Sequence, residues 1–178
     1  MTADVQIRLA GPRDAAALAE LAAVSFRAAY SDGQQATTER YIADHYAPAK
    51  QAAELADPSL AHLVVELDST LIGFAMLAYG ESHPAVAASR PIRLSRIYVA
   101  PASIGSGIGG RLMECCIDHA SERRHDVIWL SVWEENTRAV AFYDRWGFAT
   151  VGEMTFDYAG DPQRDLVMVR PIAQMAST

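Results

Sequence analysis

Residues 101–110 read Pro-Ala-Ser-Ile-Gly-Ser-Gly-Ile-Gly-Gly, and we call this segment the glycine loop. It follows an apolar, strand-like segment at residues 92–99 and precedes a segment in which Ile108, Leu112 and Cys115 share one helical face. Glycine lets a backbone turn without a Cβ clash, and the N-terminus of a helix offers free N–H groups to an anion. The stretch therefore predicts a strand, a phosphate-binding turn and a helix.

Two other phosphate-binding motifs share features with the glycine loop. Residues 105–110 satisfy the letters of the dinucleotide fingerprint G-x-G-x-x-G, which on their own would suggest a nicotinamide-dependent oxidoreductase. That motif follows the first strand of its domain and needs several βαβ units after it, whereas this chain ends in a predicted antiparallel pair. A Walker loop is excluded because no Gly-Lys-Ser/Thr follows the turn.

The second informative segment is residues 136–148, which read Asn-Thr-Arg-Ala-Val-Ala-Phe-Tyr-Asp-Arg-Trp-Gly-Phe. Asn136 is placed to cap a helix that Gly147 ends. Phe142, Tyr143 and Trp146 then lie on one face of that helix, as core residues do. Taken alone, Tyr143 is therefore a core aromatic, and its interest lies in the glycine loop about thirty residues upstream.

The remaining elements follow from hydrophobic periodicity and turn residues. One segment changes phase, because Ile92 and Leu94 alternate but the series resumes at Ile97, which indicates a β-bulge near Ser95 and Arg96. The predicted elements are strands at 5–9, 60–67, 71–79, 92–99, 127–132, 148–158 and 164–170, helices at 12–30, 48–57 and 136–146, a helix after the glycine loop with Ile108, Leu112, Cys115 and His119 on one face, a helix capped by Thr37 or Thr38 and ending at Tyr46, and loops at 31–33 and 80–91.

Composition limits the classes of protein. The 178 residues favour one domain, at residues 1–172, with a tail at 173–178, and no apolar run is long enough to span a bilayer. Fifteen Lys and Arg against 22 Asp and Glu give a net charge of −7, which argues against nucleic-acid binding and weakly favours a cationic substrate. The adjacent Cys115 and Cys116 suit a reduced compartment and cannot form a metal site by themselves. A soluble, cytoplasmic protein without bound metal is expected.

The glycine loop and residues 136–148 together resemble the two signature segments of the GCN5-related N-acetyltransferase (GNAT) superfamily. The second segment matches N-x-x-A-x-x-F-Y-x-x-x-G-F at every fixed position, whereas the first has Ile104 where the family has Arg or Gln. The resemblance extends over residues 5–170 and is nearest to a bacterial branch that includes polyamine acetyltransferases. It implies an α/β (α+β) fold with a mixed, mainly antiparallel twisted sheet, a bulged central strand and flanking helices.

The resemblance also implies an acetyl-CoA-dependent N-acetyltransferase that acts on a primary amine of a small molecule, such as a polyamine. Tyr143 would be the general acid that protonates the leaving thiolate. The backbone of residues 97–99 would pair with the pantetheine arm, and the amides of residues 104–109 would bind the pyrophosphate. The residues implied to bind the cofactor are Ile97, Tyr98, Val99, Ile104, Gly105, Ser106, Gly107, Ile108, Gly109, Asn136 and Phe142.

Four questions stay open at this stage. The general base is Glu81, His83, Tyr98, Asp157 or a water. The acceptor is a small amine, a protein N-terminus, a lysine or an antibiotic, and a homodimer is neither indicated nor excluded. A non-catalytic acyl-CoA-binding or regulatory protein of the same fold is the alternative function, with Ile104 as the departure that suggests it.

Overall fold

The computed structural model describes residues 5–30 and 35–173. Its strands are β1 (Val5–Leu9), β2 (Leu60–Leu67), β3 (Thr70–Tyr79), β4 (Pro91–Val99), β5 (Val127–Trp133), β6 (Ala149–Tyr158) and β7 (Asp161–Pro171). Its α-helices are α1 (Ala15–Ala29), α2 (Gln35–His45), α3 (Pro48–Ala56), α4 (Ile108–Glu122) and α5 (Thr137–Arg145). The predicted loop at 31–33 and all but the first residue of the predicted tail lie outside the described residues.

The seven strands form a sheet in the order β1-β2-β3-β4-β5-β7-β6. Antiparallel pairs join β1 to β2, β5 to β7 and β6 to β7, whereas β4 and β5 pair in parallel, with Pro91 opposite Val127. The sheet is flanked by helices, so the prediction of a mixed, mainly antiparallel α/β fold is confirmed. The register shift that the structure records lies in β6, between Thr150 and Gly152, and the bulge predicted in β4 stays a prediction.

The chain divides into two compact units. The first unit comprises residues 1–77 and 96–116, and the second comprises residues 78–95 and 117–178. In the first unit, Leu18 and Phe26 of α1 and Phe74 of β3 are fully buried. The β2–β3 hairpin turns at Asp68 and Ser69, both with positive φ, which is the backbone of a two-residue hairpin turn.

The second unit has its core at β5 and β7. Ile128, Trp129 and Leu130 are consecutive and all buried, because β5 lies inside the sheet and both of its faces are covered. Val167 and Met168 of β7 are likewise buried. This explains why β5 reads as a continuous apolar run rather than as an alternating one.

One predicted helix start is wrong. Helix α2 begins at Gln35, so Thr37 and Thr38 lie inside it and neither is the cap residue. Thr38 is buried, as are Tyr41 and Ile42, and the three form the helix's core-facing stripe. The burial of Thr38 in that stripe, rather than its preference for a cap position, explains why it lies inside the helix.

Two smaller differences concern the residues at which elements begin. Pro12–Asp14 form a short 3₁₀ turn before α1 instead of the first turn of an α-helix, and β7 begins at Asp161 rather than at residue 164. The N-terminal turn is fixed by Asp14, whose carboxylate accepts hydrogen bonds from Arg8 at 2.8 Å and from the Gly11 amide at 2.8 Å. Arg8 also donates to Glu66 of β2, so the network attaches the start of α1 to the sheet.

The Arg8 guanidinium lowers the pKa of Asp14 from 3.8 to about 2. A carboxyl group with a depressed folded-state pKa adds stability above its unfolded pKa and loses it as the pH falls through the folded value. We therefore expect Asp14→Asn to lower the free energy of unfolding by about 2 kcal/mol at pH 7. The difference should shrink between pH 4 and pH 2 in urea titrations. Asp118→Asn, at an exposed carboxylate of α4, is the control, and an equal loss in both variants would contradict the assignment.

Candidate active site

The glycine loop in the first unit leads into α4 through two left-handed residues. Gly105 and Gly107 have φ of 84° and 85°, and no atom lies within 4 Å of the position where either would carry a Cβ. The carbonyl of Gly107 accepts the amide of Arg111, so α4 starts directly after it. Two residues with positive φ and free space where a side chain would lie allow the backbone to approach a ligand closely.

The backbone amides of this segment fall into two groups. The amides of Ile104 and Ser106 donate within the loop, to Pro101 and Ser103, at 3.3 Å each. Within the described residues, the amides of Gly105, Gly107, Ile108 and Gly109 have no acceptor. Those in the first turn of α4 cannot have an intrahelical one, because the first four amides of any helix lack it. Together with the helix dipole, these donors favour an anionic group at this end of α4.

Gly73 of β3 brings the end of β4 close to the start of α4. A Cβ at Gly73 would lie 3.3 Å from the Tyr98 carbonyl oxygen and 3.3 Å from Cγ2 of Ile108. The structure thus brings the predicted pantetheine-binding strand together with the glycine loop. Sequence analysis did not single out Gly73, although a glycine inside an apolar strand is a signal of close backbone approach.

The Tyr98 side chain is anchored in the first unit. Its ring stacks on Phe74, with 5.6 Å between centroids, and its phenol hydrogen-bonds with Tyr46. Burial raises the pKa of Tyr98 well above 10, so the phenol stays protonated at neutral pH. Tyr98 therefore suits a structural role for its side chain, with its backbone available to a ligand, better than the role of a base.

A buried ion pair lies directly before this strand end. Arg96 Nη1 donates to Glu54 Oε2 at 2.7 Å and Nη2 to Oε1 at 3.1 Å, and the guanidinium lies over the Tyr46 ring at 5.0 Å. Gln51 adds a further hydrogen bond to Glu54 at 3.2 Å. This contact attaches α3 to β4 one residue before Ile97. Sequence patterns do not predict this ion pair, because its partners are 42 residues apart.

The second unit holds the predicted acid. Asn136 Oδ1 accepts the Ala139 amide at 3.1 Å and caps α5, as predicted, and Gly147, with φ of 78°, follows the end of the helix. Tyr143 is buried, and its ring contacts Phe142 and Phe148 edge-on, with centroids 5.5 Å and 5.7 Å away. The helix thus fixes the position of the phenol through its aromatic neighbours.

The three candidate bases that lie in the second unit all accept hydrogen bonds from other residues of this chain. Glu81 accepts from Arg93 at 2.8 Å, and His83 Nδ1 accepts the Ala85 amide at 3.2 Å. Asp157 accepts the Gly160 amide at 2.6 Å. None of these contacts distinguishes one of the three as a base, so the identity of the base stays open.

The cysteines lie on α4, where Cys116 is buried and Cys115 half-buried, and neither forms a disulfide bond in the part of the chain that the structure describes. Burial raises the pKa of Cys116, which makes it a poor nucleophile. Among the described residues, no group of three or more His, Cys, Asp or Glu side chains is placed to hold a metal ion. No helix in the same part of the chain is long and apolar enough to cross a bilayer.

Comparison with known proteins identifies the class. The sequence profile of the acetyltransferase (GNAT) family matches residues 16–148. An N-acetyltransferase of Mycobacterium tuberculosis, itself described only as uncharacterized, is 32% identical over 157 residues, which is 86% of this chain and 96% of the relative. The chain therefore belongs to the GNAT acetyltransferase family, and the prediction of an acetyl-CoA-dependent acyltransferase is confirmed at the level of the family.

Two further proteins illustrate the range of the likeness. A spermine/spermidine N(1)-acetyltransferase of Bacillus subtilis is 29% identical over 91 residues, covering 51% of this chain and 60% of the relative. The PaiA N-acetyltransferase of Thermoplasma acidophilum, solved in complex with coenzyme A, superposes with a TM-score of 0.74 at 22% identity, over 94% of this chain and 99% of that one. The second likeness shows that the fold is shared.

The residues present fit acetyl-CoA. Its pyrophosphate needs hydrogen-bond donors, and the amides of Gly105, Gly107, Ile108 and Gly109, which have no acceptor among the described residues, would supply them. Ile104 stands where the family has Arg or Gln; its side chain is uncharged and 45% exposed, and its amide already donates to Pro101. The pyrophosphate would therefore be held through the main chain, without a charged side chain at that position.

Gly107→Ala tests whether the glycine loop binds the pyrophosphate. Alanine at positive φ costs about 1–2 kcal/mol, and relief of that strain would turn the neighbouring amides. We expect the coenzyme A dissociation constant to rise about tenfold in calorimetric titration. Gly160→Ala is the matched control, since Gly160 also has positive φ and open surroundings but lies in the β6–β7 turn. Equal coenzyme A affinity in the two variants would overturn the role of Gly107.

Proposed function

We propose that the protein transfers an acetyl group from acetyl-CoA to a primary amine of a small molecule, by direct attack in a ternary complex. The observation that carries the proposal is the set of unpartnered amides at the start of α4, in a chain that belongs to an acetyltransferase family. An anion site made of main-chain N–H donors suits the pyrophosphate, because this group must be bound but takes no part in the reaction. We further propose that residues 1–172 act as one domain and that the protein works in the cytoplasm, since the adjacent Cys115 and Cys116 suit a reduced compartment.

Acetyl-CoA supplies an activated acetyl thioester. In this proposal the amides of the glycine loop hold its pyrophosphate, and the backbone of Ile97, Tyr98 and Val99 pairs with its pantetheine arm. The match of residues 136–148 to the second signature segment of the family supports Asn136 and Phe142 as further cofactor-binding residues. The hydrogen bond from the Ala100 amide to Ile72 at 2.8 Å fixes the residue after this strand end, which supports a preformed binding edge.

Tyr143 is proposed to donate a proton to the leaving thiolate. A phenol suits this step because it can donate a proton at neutral pH without itself carrying a charge. The burial of Tyr143 and its two aromatic contacts support a fixed orientation. The same features also suit a core aromatic, so the role needs a kinetic test.

The acceptor is proposed to be a cationic small molecule, with a polyamine as the leading candidate. The net charge of −7 favours the approach of a cation, and a relative with partial coverage is named for spermine and spermidine. The exposed, uncharged Ile104 in the glycine loop favours the alternative, an acyl-CoA-binding protein without turnover.

Release of coenzyme A thiol separates these functions. Wild-type protein is mixed with acetyl-CoA and, in turn, polyamines, amino acids and aminoglycosides, and free thiol is followed with time. Amine-dependent release that exceeds one equivalent of protein supports the enzyme. Saturable coenzyme A binding without release in any mixture would establish the binding protein instead.

Tyr143→Phe should lower kcat by about tenfold or more, while the coenzyme A dissociation constant stays near the wild-type value. The reason is that the lost proton is needed only in the transition state. Tyr79→Phe is the control, because it makes the same change in the second unit, where the Tyr79 hydroxyl contacts His119 at 2.6 Å. If Tyr143→Phe loses its thermal transition, or keeps its full kcat, the general-acid role is wrong.

A further inference from the structure

The end of β4 in the first unit is held from one face by two side chains that meet at Tyr46. Arg96 and Tyr98 are two residues apart, so their side chains lie on the same face of the strand. The Arg96 guanidinium lies over the Tyr46 ring at 5.0 Å, and the Tyr98 phenol hydrogen-bonds with Tyr46. Tyr46 is buried and packs edge-on against Phe26 of α1, with 5.4 Å between centroids. Ile97 therefore lies between two anchored residues.

Glu54 of α3 fixes the orientation of Arg96. Its two carboxylate oxygens each accept one terminal nitrogen of the guanidinium, at 2.7 Å and 3.1 Å, which is the geometry that the planar Arg side chain allows and Lys does not. Gln51 Nε2 donates to the same carboxylate at 3.2 Å and to the His45 carbonyl at 3.0 Å, so the carboxylate is itself held in place. The contact leaves the Arg96 side chain little freedom.

The charges of this pair balance within the first unit. His62 Nε2 lies 4.0 Å from Glu54 Oε2, but burial lowers the pKa of His62 to about 4, so it is neutral at pH 7. Arg96 therefore balances the charge of Glu54. A well-packed apolar pair is often as stable as a buried ion pair, so stability alone does not account for this one. An ion pair that permits a single geometry can instead fix the position of a backbone.

The backbone fixed in this way is the proposed pantetheine-binding edge. The Ala100 amide donates to the Ile72 carbonyl of β3 at 2.8 Å, so the backbone groups of Ala100 face β3. Backbone groups point to alternate edges along a strand, which places those of Ile97 and Val99 on the edge away from β3. A binding edge that is already in position lowers the entropy that a flexible ligand loses on binding.

We propose that the Glu54–Arg96 ion pair positions the backbone of Ile97 for the pantetheine arm of acetyl-CoA. Glu54 and Arg96 act through that backbone and do not touch the cofactor. The proposal rests on the acetyl-CoA site proposed above and adds two positioning residues to it. Loss of the pair should therefore weaken binding of the pantetheine arm and leave binding of the pyrophosphate by the glycine loop unchanged.

The test separates these two parts of the cofactor. Coenzyme A and 3′-phospho-ADP, which is coenzyme A without its pantetheine arm, are titrated calorimetrically into wild-type protein and into Arg96→Met/Glu54→Leu. The double variant removes both charges together, so it should keep a cooperative thermal transition. Its coenzyme A dissociation constant should rise about tenfold, the worth of about one hydrogen bond, while that of 3′-phospho-ADP stays at the wild-type value.

Two further variants complete the experiment. Arg27→Met/Glu39→Leu makes the same change at an exposed ion pair that joins α1 to α2 in the same unit, and it should keep both wild-type affinities. Arg96→Lys keeps the charge but loses the two-point contact with Glu54. It should raise the coenzyme A dissociation constant by a smaller factor, about threefold, again without a change for 3′-phospho-ADP.

Wild-type coenzyme A affinity in the folded double variant, or an equal loss of affinity for both ligands, would overturn the positioning role. If the double variant does not fold, Arg96→Lys decides between the same outcomes. Coenzyme A binding without thiol release with any amine would refute acetyl transfer, and the affinities would still decide the role of the ion pair. No coenzyme A binding by wild-type protein would refute both proposals.

Discussion

The first amides of an α-helix have no partner inside the helix, and the structure must place them where something else can accept their hydrogen bonds. In α4 they come directly after Gly105 and Gly107, whose left-handed backbone only glycine adopts at low cost. Gly73 then lets the end of β4 approach the same helix terminus. The candidate cofactor site follows from this one unsatisfied helix end, and it needs no charged side chain.

Buried polar groups in the two units differ in how far their hydrogen bonds are satisfied. The Glu54 carboxylate accepts two hydrogen bonds from Arg96 and one from Gln51, so removing Arg96 would leave a buried charge uncompensated. Asp165, in contrast, keeps an oxygen without a donor. A satisfied network holds elements together, whereas an unsatisfied one is stabilised further when a ligand binds.

Local sequence signals predicted the local features well. The Asn136 cap and the glycine turn each depend on residues a few positions apart, and the structure contains both. Of the residues predicted on the core face of α5, Tyr143 is buried, whereas Phe142 and Trp146 are half-buried. Features that depend on distant pairing were missed. Glu54 and Arg96 meet only because α3 packs beside β4, and the burial of Asp165 depends on its pairing with β5. The start of α2 was misplaced because the burial of Thr38 outweighs its preference for a cap position.

The most direct test of the account is to find where the acetyl group goes. Wild-type protein is incubated with acetyl-CoA and 1,4-diaminobutane, and the products and the intact protein are weighed by mass spectrometry. Direct transfer predicts N-acetylated diamine in equal amount to the coenzyme A released, with the protein mass unchanged. Acetyl bound covalently to the protein during turnover, or coenzyme A released with acetate as the only other product, would contradict it.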